Sequence, residues 1–143
     1  MKLLISLVLL IVIFSSCRQV PPANEYHWKP YSQQAIKESV AQHKPVVIDF
    51  WAEWCPNCHD LERTVFSLPQ VQAKLSKVTA LRMDVTNQED PAVQEILQQY
   101  EIEGVPTVVF LDSHGQEVKD ARIIGLGTSQ DFDQAFAMLK ILS

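Results

Sequence analysis

Val46-Val47-Ile48-Asp49-Phe50-Trp51-Ala52-Glu53-Trp54-Cys55-Pro56-Asn57-Cys58-His59 decides the fold. The apolar run Val46 to Trp51 reads as a buried central strand, although it carries an acid, Asp49. Two cysteines with two residues between them follow, with proline immediately after the first. With Cys55 as N-cap, Pro56 takes the first helical position, where a missing N–H costs nothing. The amides of Asn57 and Cys58 then face the Cys55 sulfur, and with the helix dipole they favour its thiolate, typically by about 0.3–1 kcal/mol. Cys58 lies one turn away on the same side. The pair can close a small disulfide ring at an exposed helix mouth and be reopened by another protein's thiol. A permanent structural bridge is the weaker reading, because so short a loop gains little entropy.

On either side the pattern alternates between helix and strand. Ala35, Ile36, Ser39 and Val40 mark a first helix that stops near His43-Lys44-Pro45. A helix is expected from Cys55 to Phe66, and a shorter one opened by Pro69. Val78 to Val85 alternates as a strand. Asp90-Pro91 opens a helix with the stripe Val93, Ile96, Leu97 and Tyr100. Thr107 to Leu111 reads as a strand, turned by Asp112-Ser113-His114-Gly115 into another at Glu117 to Ile124. Thr128 and Asp131 have capping-box spacing ahead of a last helix. The order αβααβαββα implies an α/β fold, a central mixed sheet flanked by helices on both faces.

The chain has 143 residues, enough for one domain, with 47% hydrophobic and 20% charged residues. A formal charge of −5 gives no general attraction to nucleic acid or anionic lipid. The start differs in kind. After Met1-Lys2, Leu3 to Phe14 is apolar except for Ser6, shorter than the roughly 20 residues a bilayer crossing needs and of the length of a signal h-region. It ends Phe14-Ser15-Ser16-Cys17, which resembles the bacterial lipoprotein signal, with phenylalanine where leucine is usual. The expected division is residues 1–16 as signal, 17–30 as a lipidated N-terminus and polar tether, and 31–143 as the folded domain. Lipidation of Cys17 would also remove the odd third cysteine and leave Cys55 and Cys58 as a pair. Such a signal implies export, to a compartment where disulfides persist.

Together these residues resemble the thioredoxin fold. The match rests on Asp49 to Cys55, on Cys58, on Gly104-Val105-Pro106-Thr107 and on Gly125 and Gly127. More narrowly, Thr64 to Val71, Asp84-Val85-Thr86, Gly115-Gln116-Glu117 and Ala121-Arg122 are similar to the periplasmic C-terminal domain of the membrane thiol:disulfide interchange reductases. The likeness spans roughly Tyr31 to Leu142. It implies a cofactor-free protein-disulfide oxidoreductase with Cys55 as nucleophile and Cys58 as resolving thiol. It further implies that Asp49 is a buried acid exchanging protons with Cys58, and that Val105-Pro106 is a cis bond facing the dithiol. Val105 would then pair with an extended substrate segment. Trp54 and Pro56, beside the sulfur, are expected to touch partners, and Trp51 to belong to the core. Arg82 is a candidate neighbour of Asp49, and Glu62 reads as a solvated charge. Expected partners are protein thiols and disulfides, a membrane electron donor, and the membrane itself through the lipid; no nucleic acid is expected.

Pro56-Asn57 and His59 depart from the usual residues beside the sulfurs, so the redox potential and the direction of exchange stay open. An oxidase or isomerase of the same fold is the alternative. Cys55-x-x-Cys58-His59 also fits c-type haem attachment, with Met83 or Met138 as second ligand, but it follows a buried strand. A zinc site lacks a second ligand pair, and a non-catalytic binding module would not need both cysteines. Arg18, where aspartate would favour the inner membrane, points to the outer membrane in a Gram-negative host.

Overall fold

The computed structural model describes residues 25–140. The signal, Cys17 and most of the expected tether lie outside the described residues. Five strands form one mixed sheet: β1 (Lys29–Pro30), β2 (Val46–Trp51), β3 (Thr79–Asp84), β4 (Thr107–Leu111) and β5 (Ile123–Ile124). Their spatial order is β1-β3-β2-β4-β5. β1 and β2 run parallel to β3, while β4 is antiparallel to β2 and β5 to β4. Central β2 needs both faces covered, which is why its sequence is a continuous apolar run rather than an alternating one.

Side chains of β2 alternate between two cores. On one face Val46, Ile48 and Phe50 pack with Leu81, Met83, Val109 and Leu111 under α1 (Gln33–Ala41) and α4 (Pro91–Gln99). On the other, Val47, Ala80, Val108 and Phe110 meet α2 (Pro56–Leu61), α3 (Pro69–Leu75) and α5 (Ser129–Met138). Helix starts follow the sequence signals. Asp90 accepts the Ala92 amide, and Thr128 and Asp131 form the reciprocal capping box. His43, at φ 53°, ends α1 in the left-handed region.

Three expectations are corrected. The helix after the cysteines is not regular to Phe66: α2 stops at Leu61, and Glu62–Phe66 form one π-helical turn. There the Ser67 amide reaches the Glu62 carbonyl, five residues back, at 3.0 Å. The hydroxyls of Thr64 and Ser67 bond carbonyls four residues back, a competition that bends helices. The strand expected over Glu117 to Ile124 is reduced to a Leu111–Glu117 bridge and two-residue β5, with a 3₁₀ turn at Lys119–Ala121 between them. Arg122 breaks the alternation. Its guanidinium leaves the strand to bind Glu117 at 2.7 Å and the Tyr100 carbonyl at 2.7 Å.

The third correction concerns the tether. Its last residues belong to the domain: Lys29–Pro30 pair with β3, and the Tyr31 amide reaches the Arg82 carbonyl at 2.8 Å. Aromatic mass explains this. Trp28 stacks edge-on against Phe66 at 4.9 Å and against Tyr26 at 5.0 Å, joining both to the core. Pro30 is tolerated because this is an edge strand.

Candidate active site

Cys55 is the N-cap of α2, with Pro56 in the first turn. Its sulfur accepts the Cys58 amide at 3.1 Å, and its carbonyl accepts the Cys58 and His59 amides at 3.1 and 3.3 Å. Cys55 and Cys58 are joined as a disulfide, with Cα atoms 5.3 Å apart. The expected exposure is corrected: Cys55 is 3% and Cys58 5% exposed, both within the core cluster that includes Phe50, Ala52 and Tyr100. Val105 is partly buried and packs against that cluster.

The loop before Cys55 is tied on three sides. Thr86 receives the Glu53 amide on its hydroxyl at 2.9 Å and the Trp54 indole N–H on its carbonyl at 3.1 Å. His59 Nε2 donates to the Glu53 carbonyl at 2.8 Å, so the residue after the second cysteine holds the loop carrying the first. Trp54 is 55% exposed, presenting a flat apolar face beside the sulfurs. Pro56 and Asn57 are exposed as well. Val105-Pro106 is a cis peptide bond, and the Pro106 carbonyl accepts the Gly125 amide at 2.8 Å.

Asp49 stands at mid-strand and is 2% exposed. Arg82, its register partner on β3, donates Nε to Asp49 Oδ2 at 2.8 Å. Arg82 Nη2 reaches Glu62 Oε2 at 2.5 Å, and the Tyr26 amide donates to Glu62 Oε1 at 3.3 Å. Glu62, expected as a solvated charge, is therefore a partly buried ion-pair partner with its side chain 14% exposed. The signal was in the spacing: Glu62 is four residues after Cys58, on the helix stripe that turns inward. Trp51 is half-buried rather than core, its ring 5.0 Å from the Arg82 guanidinium and 5.8 Å from His59.

Burial pushes the Asp49 carboxyl up to about 6, against the pull of Arg82 and with a further push from the Glu62 charge. The folded protein thus binds a proton at Asp49 that the unfolded chain has lost between pH 3.8 and about 6. Stability falls as pH rises through that window, and the full cost, about 3 kcal/mol, persists above it. Asp49→Asn should accordingly raise the urea midpoint at pH 7. The gain should shrink to nothing by pH 4; a gain independent of pH would show that the carboxylate is not its source.

A thioredoxin-like domain family model matches residues 32–140, most of the chain. The protein belongs to the thioredoxin-like family, and Cys55 and Cys58 give it a disulfide-capable pair. Within it, the chain is 35% identical over 108 residues to the thiol:disulfide interchange protein DsbD of Photorhabdus laumondii, covering 76% of this chain and 18% of that protein. Identity to DsbD of Vibrio cholerae is 39% over 100 residues, 70% of this chain and 16% of that one. The chain thus spans under a fifth of the length of these curated relatives. The fold is the thioredoxin fold. It matches the oxidised DsbD C-terminal domain of Neisseria meningitidis with TM-score 0.66 and 24% identity, over 78% of this chain and 98% of that one. A thioredoxin from Thermus thermophilus matches with TM-score 0.65 and 27% identity, over 81% and 88%.

Proposed function

We propose that this protein is an exported thiol:disulfide oxidoreductase that reduces disulfides of protein partners and is held to a membrane by a lipid on Cys17. The observation that carries the reading is the Cys55 sulfur, seated at the start of α2 with the Cys58 amide on it and joined to Cys58. In the reduced protein the same amide and the helix dipole favour a Cys55 thiolate. That thiolate attacks one sulfur of a substrate disulfide, and the other leaves as a thiolate. Cys58 gives its proton to Asp49 and attacks Cys55, releasing the second substrate thiol and closing the Cys55–Cys58 bond. A dithiol donor in the membrane then returns two electrons.

Trp54 and Pro56 form the partner-facing rim, and Val105-Pro106 offers backbone to an extended segment of substrate. Relatives named thiol:disulfide interchange proteins support exchange with protein thiols and disulfides, while the reductive direction and the periplasmic side rest on the resemblance to the interchange reductases. Arg18 favours the outer membrane in a Gram-negative host. The measurement that tests this is the equilibrium potential of the Cys55–Cys58 couple against glutathione. A reductant should fall below about −200 mV. A value near about −120 mV, where the strongest oxidants of this chemistry lie, would instead assign the protein to disulfide formation.

A further inference from the structure

Helix α4 ends on a backbone form that glycine usually supplies. Glu101 takes φ 53°, in the left-handed region. Around it the helix end is complete: the Glu101 amide reaches the Gln98 carbonyl at 3.1 Å and the Ile102 amide the Leu97 carbonyl at 2.8 Å. Two cations hold this end from outside the helix. Lys119 binds the Glu101 carboxylate at 2.6 Å. Arg122 donates Nη2 to the Tyr100 carbonyl at 2.7 Å and Nη1 to the Glu101 carbonyl at 3.3 Å. A cation on the last carbonyls of a helix also meets the negative end of its dipole. Glu117 aims the guanidinium by a two-point pair, Nε to Oε1 at 2.7 Å and Nη2 to Oε2 at 2.9 Å, with the two side chains 12% and 14% exposed.

From Glu101 the chain runs directly into the cis bond at Val105-Pro106. The Pro106 carbonyl accepts the Gly125 amide at 2.8 Å, and Gly125 follows Arg122 across β5. The loop is thereby closed into a ring. It passes from Arg122 through its side chain to Tyr100 and Glu101, along the chain to Pro106, over one hydrogen bond to Gly125 and back through β5. Within the ring the Thr107 hydroxyl donates to the Gly104 carbonyl at 2.7 Å.

We propose that Arg122 is a positioning residue for partner docking: by joining the end of α4 to β5, it holds Val105 and Pro106 in the form with which an extended segment of a partner pairs. The proposal rests on the docking role given to Val105-Pro106 above. The bonds of Arg122 go to Glu117, Tyr100 and Glu101, whereas the amide on the Cys55 sulfur comes from Cys58. A loop freed at its α4 end samples arrangements that do not pair, and affinity for an extended partner falls with the fraction that does. A disulfide too small to lie along the loop is indifferent to that fraction.

The reduced protein is mixed with one of two disulfides at low concentration, and loss of its thiols is followed by acid quench and alkylation. One is a peptide disulfide with extended residues on both sides; the other is hydroxyethyl disulfide, which has no backbone to pair. In Arg122→Gln the rate constant for the peptide should fall about five- to tenfold while that for hydroxyethyl disulfide stays within about twofold of the parent. Partial unfolding would lower both alike. Arg122→Lys should recover part of the loss, and Glu117→Gln should show a smaller loss of the same kind. Hydrogen exchange of the Gly125 amide should quicken in Arg122→Gln while the amides of β2 keep their rates. If Arg122→Gln fails to fold, Arg122→Lys and Glu117→Gln decide by the same ratio. An unchanged ratio of the two rate constants, or equal losses on both disulfides, overturns the proposal. A parent protein with no preference for the peptide removes the docking role of Val105-Pro106, and one that reacts with neither disulfide overturns the dithiol reading itself.

Discussion

Cys55→Ser should reduce insulin disulfides no faster than buffer containing the same reductant. The serine hydroxyl does not ionise near neutral pH, and the amide that stabilises a thiolate at this N-cap has no anion to stabilise. Cys58→Ser should behave differently. Cys55 keeps its place at the helix start, so attack proceeds, but no second thiol releases the partner, and mixed disulfides should accumulate on non-reducing gels. Full turnover by the Cys55 variant would reassign the nucleophile. Loss of trapping in the Cys58 variant would remove the two-step exchange.

A large effect on stability is expected from Phe66→Ala. Phe66 is 1% exposed and stacks on Trp28 at 4.9 Å and on Phe132 at 5.2 Å, so one ring joins the N-terminal strap, residues 25–30, to α5 across the π turn. Truncation of a buried phenylalanine costs about 3–5 kcal/mol. That is a large share of the total for a small domain, and it should lower the urea midpoint by about 2 M. A loss below about 1 kcal/mol would mean that the strap and α5 are held by other contacts. Because Cys55 and Cys58 pack in the opposite cluster, the variant that remains folded at low denaturant should keep its thiol chemistry.

Legibility in the sequence followed the range of the interaction involved. Strand β2, the caps at Asp90 and Thr128 and the helix start at Cys55 are local: period, cap and proline spacing state them directly. The Asp49 acid was visible because a carboxylate in an apolar run has to be explained. Its cation was harder, since the register of β2 on β3 that sets Asp49 beside Arg82 is a long-range fact. Glu62 was misread because its burial depends on that cation, and Tyr26 to Pro30 because three prolines and polar neighbours between Arg18 and Pro30 outweigh two aromatic rings in any local window. Arg122 bent the last hairpin through bonds to Tyr100 and Glu117 that no short-range pattern encodes.

The chain has three tryptophans, and the site gathers all of them. Trp54 adjoins the disulfide, while Trp28 and Trp51 flank the same guanidinium. Tryptophan emission from this protein therefore originates around the Arg82 guanidinium and beside the disulfide. A fluorescence-monitored melting curve follows the surroundings of the sulfurs and hears little from α4 or the β4–β5 hairpin, so it needs a backbone-sensitive partner such as circular dichroism before it speaks for the whole chain.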